Sequence, residues 1–191
     1  MNQHKILLTG TFDSGKTELI NLYASDPRVV IVPEVARVIL TEDPSLQSKP
    51  EFQDILFAEQ LRMEKLAEET GKPIMICDRG ILDIIAFSRI LGIPVKSEWA
   101  NTLPERYGSI MVCSTVDIPY AGNGDSMTSQ VFREQVDIQI RQIARQLGSF
   151  DEVQGSVQQR KLFLDSHITQ IQTSVEGSLK NRENGSGRHE F

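Results

Sequence analysis

The chain has 191 residues, of which 39% are hydrophobic and 24% are charged, and its formal net charge at pH 7 is −6. This length suits one domain with a substantial core and excludes two domains of ordinary size. The negative charge argues against nonspecific attraction to nucleic acid or to an anionic membrane, so neither is expected as a partner.

The cysteines and the apolar runs point to a reducing compartment. Cys77 and Cys113 each lie inside an apolar run, as buried thiols do, and are expected to form neither a disulfide nor a metal pair. The three histidines have no metal-ligand spacing. No apolar run reaches the ~18 residues of a membrane helix, and the opening MNQHK lacks the apolar stretch of a signal peptide. We therefore expect a cytoplasmic protein.

The first predicted elements are a strand, a loop and a helix. Residues 5–10 (KILLTG) form a short apolar run suited to a buried strand, and residues 15–24 (GKTELINLYA) place apolar side chains at helical spacing. Between them, GTFDSGKT from Gly10 to Thr17 has the spacing of a phosphate-binding P-loop. The alternative is a glycine-containing turn with a surface lysine. The flanking strand and helix disfavour it, because they are the setting that a P-loop requires.

A P-loop binds phosphate because its glycines let successive N–H groups point inward, beside the positive end of a helix. Lys16 is predicted to be an accessible loop residue that reaches the β- and γ-phosphates of ATP, and the Thr17 hydroxyl to ligate Mg²⁺. Asp13 puts a carboxylate beside the polyphosphate, where it is expected to face solvent or to contact the acceptor. The predicted nucleotide contacts in this loop are Gly10, Thr11, Asp13, Ser14, Gly15, Lys16 and Thr17.

A second strand is predicted at residues 28–33 (RVVIVP), and a carboxylate and an arginine follow it as Glu34 and Arg37. Doubly wound sheets place their ligands at the carboxyl ends of their strands. A carboxylate there can hold Mg²⁺ through its water shell or accept a proton from an attacking hydroxyl. The sequence supports equally well that Glu34 is a solvated glutamate in the first turn of a helix.

The segment from Pro50 to Glu69 predicts one long amphipathic helix, with the proline in its first turn. A third strand follows at residues 73–78 (PIMICD). It ends, like the second, in a carboxylate and an arginine, Asp78 and Arg79.

The Asp78–Arg79 pair has a catalytic interpretation and a structural one. The carboxylate could serve Mg²⁺, and the arginine could neutralise charge on a transferring phosphoryl group. Asp78 could instead be a helix N-cap, because the apolar helix ILDIIAFSRIL comes next. For Asp83, three residues into that helix, the structural alternative of an ordinary first-turn carboxylate carries more weight than the N-cap alternative does for Asp78.

The remaining chain continues the alternation of strands and helices. A fourth strand is predicted at 109–114, a flexible loop at 116–126, a long helix over 131–147, a weak fifth strand within 150–156, and a closing helix over 158–179. Such alternation predicts a parallel sheet covered by helices. We expect a single domain over residues 1–179 and a flexible tail over 180–191.

Four segments together carry a family resemblance. They are GTFDSGKTEL, VIVPEVARVIL, EFQDILFAEQLRMEKLA and ICDRGILDIIAFS. In these segments the chain resembles the bacterial AAA-type ATP-binding family, which looks like the nicotinamide riboside kinase domain and, more distantly, deoxynucleoside kinases and thymidylate kinase. The resemblance covers about residues 5–160. It implies a P-loop NTPase of nucleoside/nucleotide-kinase type, with a parallel five-stranded sheet, helices on both faces and a mobile lid.

The resemblance also implies roles for individual residues. Glu34 would meet the acceptor hydroxyl, Asp78 would be a magnesium-side carboxylate, and Arg79 would contact phosphate or acceptor. Gln53, on the long helix, would face the acceptor pocket. Lid arginines close over the phosphates in such kinases, and Arg133 is the candidate here because no arginine precedes it in the predicted lid.

The leading hypothesis is an enzyme that uses Mg²⁺ and transfers the γ-phosphoryl group of ATP to a hydroxyl of a small nucleoside-like acceptor. Its predicted catalytic residues are Lys16, Glu34, Asp78 and Arg79. The alternative is an ATPase or nucleotide-dependent regulatory module without a small-molecule acceptor. An inactive P-loop fold is disfavoured because Lys16, Thr17 and Asp78 are all present. The acceptor, the choice between ATP and GTP and the oligomeric state stay open, with a homodimer among the options.

Overall fold

A computed structural model describes residues 3–116, 118 and 129–185, and the side chains of 3–116, 118 and 129–174. Five strands form one sheet in the order β2-β3-β1-β4-β5, and each neighbouring pair is parallel. The strands are β1 (His4–Thr9), β2 (Val29–Val32), β3 (Ile74–Asp78), β4 (Ser109–Cys113) and β5 (Asp151–Val153). The predicted parallel five-stranded sheet is confirmed.

Helices fill the connections between the strands. They are α1 (Lys16–Asn21), α2 (Val35–Glu42), α3 (Phe52–Glu69), α4 (Ile81–Ile90), α5 (Ser97–Thr102), α6 (Gln130–Gln146) and α7 (Val157–Gly185), with a 3₁₀ helix at Pro44–Ser48 between α2 and α3. Within the described part of the chain, no helix is both long and apolar enough to cross a membrane.

The sheet separates two apolar cores, because successive strand side chains point to opposite faces. Leu7 and Cys77 belong to the core beneath α2 to α6. Ile6 and Ile76 belong to the core beneath α1 and α7. Both faces are therefore covered, which explains why the central strands read as continuous apolar runs.

The register of the central strands brings the predicted site together. Leu8 of β1 pairs with Asp78 of β3, so the loop after β1 begins beside the end of β3. Val32 of β2 pairs with Cys77, so Glu34 follows at the same edge. Segments that are far apart in the sequence thus meet at the carboxyl edge of the sheet.

The C-terminal end of α7 differs from the sequence-based expectation, and most of the predicted loop and lid cannot be compared with it. Helix α7 continues to Gly185, so residues 180–185 are helical, whereas a frayed tail was expected from residue 180. The polar residues after Leu179 are compatible with a helix. Most of the predicted 116–126 loop and the predicted lid, together with 186–191, lies outside the described residues.

Candidate active site

The loop between β1 and α1 turns through three residues with positive φ. These are Gly10 (138°), Asp13 (55°) and Gly15 (76°). A Cβ atom on Gly10 would lie 2.8 Å from the carbonyl oxygen of Cys113, so only glycine fits there. Aspartate is one of the few other residue types that adopts this conformation readily. The loop therefore curls back over the start of α1.

Lys16 is buried inside that loop. Its side chain donates from Nζ to the carbonyl oxygens of Gly10 (3.0 Å) and Thr11 (2.6 Å) and to Ser14 Oγ (2.9 Å). The residue is only 5% exposed, so the prediction of an accessible loop lysine is wrong. Burial, and then the neighbouring charge of Arg79, lowers the pKa of Lys16 to about 8. The lysine is held by acceptors that a bound phosphate would replace.

Thr17 and Asp78 bring two oxygen groups together beside the loop. The Thr17 hydroxyl donates to Asp78 Oδ2 at 3.4 Å. The other carboxylate oxygen, Oδ1, is buried, and no described residue donates a hydrogen bond to it. Gly80 is the N-cap of α4, so the N-cap interpretation of Asp78 is wrong. Burial raises the pKa of the Asp78 carboxyl.

This pair fits a magnesium ion. Mg²⁺ prefers hydroxyl, carboxylate and water oxygens, and the buried Asp78 Oδ1 is an acceptor that a metal-bound water or the ion itself would satisfy.

Arg79 lies at the centre of the site in a strained backbone conformation. Its φ of 68° is left-handed, which costs a non-glycine residue about 1–2 kcal/mol. The guanidinium donates to Glu34 Oε1 (3.0 Å), to the carbonyl oxygen of Gly10 (3.1 Å) and to Asp83 Oδ1 (3.2 Å). It also lies 5.4 Å from the ring centroid of Phe87. Arg79 therefore connects the P-loop with the residues on the other side of the site.

The carboxylate of Asp83, in the first turn of α4, holds the Arg79 guanidinium in place. The carboxylate is buried and accepts hydrogen bonds from Thr9 Oγ1 at 2.6 Å and from the Gly80 N–H at 2.9 Å, in addition to Arg79. The sequence analysis considered an ordinary first-turn carboxylate for Asp83 and did not predict this role. The signal was available, because a lone carboxylate in the apolar run ILDIIAF needs a buried partner.

Glu34 accepts hydrogen bonds from two arginines. It precedes α2, and its carboxylate oxygens receive Arg79 Nε (3.0 Å) and Arg37 Nη2 (2.9 Å). The Glu34 side chain is 18% exposed, whereas that of Arg37 is 62% exposed. The alternative of a freely solvated glutamate is therefore wrong, and Arg37 lies at the surface.

A cavity of about 460 Å³ opens beside Glu34 and Arg79. Helices α2, α3 and α4 supply apolar walls that include Val35, Leu56 and Phe87. The polar side chains that line it are Glu34, Gln47, Lys49, Gln53, Gln60, Arg79 and Asp83. Gln53 is buried there, and within the described chain no group donates to its Oε1.

A second cavity, of about 750 Å³, lies on the far side of the P-loop. Asp13, Gly15 and Arg160 line it, so the exposed Asp13 side chain belongs to this cavity and is not among the lining residues of the first. Arg160 is buried and donates to the carbonyl oxygens of Ser14 (2.5 Å) and Ser114 (2.8 Å). Sequence reasoning missed Arg160, because a cation in an amphipathic helix reads as a surface residue.

Arg133 faces the P-loop from α6. It is buried and its Nη2 donates to the Asp13 carbonyl oxygen at 3.4 Å. The structure thus places the predicted lid arginine next to the loop. Residues 121–128 of the predicted lid, which spans residues 121–135, lie outside the described chain.

The sheet order, the P-loop after β1 and the acidic residues at the ends of β2 and β3 define a P-loop NTPase fold of kinase type. A sequence model of the AAA domain family matches residues 5–160, and the chain belongs to this family. Proteins of curated function give no match.

Three solved structures share the fold. NadR protein in complex with NR superimposes with a TM-score of 0.61 at 16% identity, covering 81% of this chain and 46% of that chain. NadR protein in complex with NAD and AMP-PNP gives 0.63 at 13% identity, covering 85% and 48%. Thymidylate kinase from Ehrlichia chaffeensis gives 0.56 at 16% identity, covering 88% and 100%. The chain spans about half the length of the NadR chains. The predicted resemblance is confirmed at the level of family and fold.

Proposed function

We propose that this protein transfers the γ-phosphoryl group of ATP to a hydroxyl of a small nucleoside-like acceptor. The observation that carries the proposal is the position of Arg79, whose guanidinium donates both to Gly10 of the P-loop and to Glu34 at the wall of the first cavity. A phosphate cradle and an acceptor-sized cavity therefore share one cationic residue. This arrangement suits transfer between two bound molecules, because phosphoryl transfer depends mainly on positioning and charge neutralisation.

On the nucleotide side, the triphosphate would occupy the P-loop. Lys16 would exchange its contacts with Gly10 and Thr11 for the β- and γ-phosphates. The second cavity, beside Asp13 and Arg160, offers room for the nucleoside part of ATP. NadR protein, which shares this fold, has been solved with AMP-PNP, which supports a nucleotide at this loop.

Thr17 and Asp78 would hold Mg²⁺, which supplies charge neutralisation for the β- and γ-phosphate oxygens when it is bound. The contact between the Thr17 hydroxyl and Asp78 Oδ2 keeps both oxygen groups at the end of β3. The proposed metal site therefore lies on the same edge as Lys16 and Arg79.

On the acceptor side, the 460 Å³ cavity falls within the usual range for small-molecule sites. Its apolar walls suit a flat ring, and the amides of Gln53 and Gln60 suit hydrogen-bonding groups on that ring. Glu34 would orient the acceptor hydroxyl and receive its proton, while Arg79 would neutralise charge on the transferring group.

The proposal is tested by offering the protein ATP and Mg²⁺ with a panel of nucleosides, nicotinamide riboside and nucleoside monophosphates. ADP release is measured, and mass spectrometry of the acceptor reports added phosphate. A phosphorylated acceptor with ADP release well above the ATP-only rate is expected. ATP hydrolysis that no acceptor accelerates would instead favour the ATPase or regulatory alternative.

A further inference from the structure

A buried polar network lies next to the first cavity, and the reaction outlined above uses only its Gln60 amide, at the cavity wall. Its centre is Glu64 of α3, whose side chain has no exposed surface. Four donors surround this carboxylate: Lys5 Nζ (3.2 Å), Gln60 Nε2 (2.9 Å), Arg106 Nη2 (2.9 Å) and the Tyr107 hydroxyl (3.0 Å). Such groups are costly to bury, and a buried ion pair is weak evidence for a purely stabilising role.

Tyr107 connects this network to the turn that carries Arg79. Its hydroxyl accepts a hydrogen bond from the Ile81 N–H at 3.1 Å and donates to Glu64. A Cβ atom on Gly80 would lie 2.3 Å from the same hydroxyl, so the backbone packs directly against it. The tyrosine therefore fixes the two residues that follow Arg79.

Gln60 connects the network to the cavity. Its side chain lines the cavity wall together with Arg79 and Gly80, and its amide donates to the Glu64 oxygen that also receives the Tyr107 hydroxyl. A continuous series of hydrogen bonds thus runs from the cavity wall to the backbone beside the strained arginine.

We propose that Gln60, Glu64 and Tyr107 are positioning residues for Arg79. They hold the turn after β3 so that Arg79 keeps its left-handed backbone and reaches both Gly10 and Glu34. The effect on phosphoryl transfer rests on the proposed function. The effect on the backbone does not, because it depends only on the contacts of Tyr107 with Ile81 and Gly80.

The test compares Tyr107→Phe with Tyr23→Phe as a matched control. Tyr23 is also buried, and its hydroxyl donates to Asp165 at 2.8 Å, but it lies in the core on the other face of the sheet. Both variants lose one buried hydroxyl, so a general loss of stability affects both. Hydrogen exchange of residues 79–84 reports on the turn, and acceptor-stimulated ADP release reports on the reaction.

In Tyr107→Phe we expect exchange of residues 79–84 to rise on the order of tenfold, as the loss of one buried hydrogen bond predicts. The kcat of acceptor-stimulated turnover should fall while the KM for ATP changes little. Tyr23→Phe should show neither effect. Without acceptor, Gln60→Met removes the hydrogen bond to Glu64 and should change exchange in the same direction if Tyr107→Phe does not fold.

Unchanged exchange in residues 79–84 for both Tyr107→Phe and Gln60→Met would overturn the positioning role. An equal rise in Tyr107→Phe and Tyr23→Phe would also overturn it, because the hydroxyl would then be only structural. If the wild-type protein shows no acceptor-stimulated turnover, the proposed function fails, and the exchange data still decide the positioning role.

Discussion

The ammonium group of Lys16 is held by hydrogen-bond acceptors of the P-loop itself. The P-loop surrounds the ammonium with Gly10 and Thr11 carbonyl oxygens and a serine hydroxyl, which satisfy its hydrogen bonds but leave it poorly solvated. The consequence is a pKa lowered to about 8, mainly by burial. A phosphate would restore a full counter-charge, so binding should favour the protonated lysine.

This shift predicts that ATP affinity depends on pH. Below about pH 8 Lys16 is protonated and attracts the triphosphate, and above it the free protein has increasingly lost that charge. The dissociation constant for ATP, measured by calorimetry between pH 6.5 and 9.5, should rise above pH 8. Lys16→Arg keeps its charge over this range and should lack that rise. An equal pH response in both proteins would contradict the assignment.

The proposed role of Asp78 predicts how the reaction depends on the Mg²⁺ concentration. In Asp78→Asn a neutral amide replaces the carboxylate, so the Mg²⁺ concentration for half-maximal turnover should rise by about tenfold or more. Asp26→Asn is the control, because Asp26 precedes β2 at the opposite edge of the sheet, where it pairs with Arg28. A magnesium titration that is the same for both variants would remove Asp78 from the metal site.

The sequence predicted some of these residues and not others, for a physical reason. Gly10, Lys16 and Thr17 belong to one local pattern whose backbone geometry is encoded within eight residues. Asp83 and Arg160 acquire their partners only through packing between distant elements. Arg160 and its acceptor Ser14 are 146 positions apart. The burial of Lys16 was missed for a different reason, because its acceptors lie in the loop itself and the sequence pattern does not show how closely the loop folds around the side chain.

Among the elements, the central strands were the most predictable. A strand covered on both faces is apolar along its buried stretch, and β1, β3 and β4 accordingly contain short apolar runs at residues 6–8, 74–77 and 110–113. Helix α5 has only six residues, and the 3₁₀ helix at Pro44–Ser48 only five, which is too short for an apolar periodicity. The end of α7 was placed too early because polar residues favour helix and tail almost equally.

The attachment of α7 to the sheet gives a prediction for stability. Ser109 Oγ on β4 lies 2.9 Å from His4 Nε2 on β1 and 2.7 Å from His167 Nε2 on α7. The Ser109 hydroxyl therefore contacts both imidazole rings. If both rings were protonated, both would donate to this oxygen, and the hydroxyl could no longer donate its own proton to either ring. Burial, and then the charge of His167, lowers the pKa of His4 below 6.5. The nearby Asp151 carboxylate is 4.0 Å from His167 Nδ1.

A histidine with a lowered pKa binds its proton more weakly in the folded state than in the unfolded chain. Its contribution to stability is therefore fully present above about pH 6.5 and is lost as the pH falls below that value, through the lowered pKa of the folded state. The free energy of unfolding, measured with urea at pH 7.5 and 5.5, should decrease toward acid more in wild type than in His4→Gln. The same decrease in both proteins would show that His4 does not titrate in this way.

In the whole molecule, the strand order determines which side chains meet at the carboxyl edge of the sheet. The order β2-β3-β1 puts Glu34, Arg79 and the P-loop on one edge, with the P-loop on one side of the arginine and the 460 Å³ cavity on the other. Local patterns predicted a parallel sheet and polar residues at its carboxyl edge. The cavity could not be predicted, because its shape depends on how α2, α3 and α4 pack together.

Glu34 is proposed to orient the acceptor hydroxyl and to take its proton. A comparison of ADP release with and without acceptor tests this role most directly. Glu34→Gln keeps the shape of the side chain and removes its proton acceptor. The control is Glu59→Gln, because Glu59 pairs with Arg62 in the same i,i+3 arrangement as Glu34 with Arg37, on the exposed side of α3.

At matched ATP occupancy, Glu34→Gln should lose acceptor-stimulated turnover by roughly 10²- to 10⁴-fold, while Glu59→Gln keeps the wild-type rate. The affinity for ATP should change little in either variant. Acceptor-stimulated turnover that survives Glu34→Gln intact would contradict the role of this residue, and a change confined to the ATP-only rate would point to hydrolysis without an acceptor.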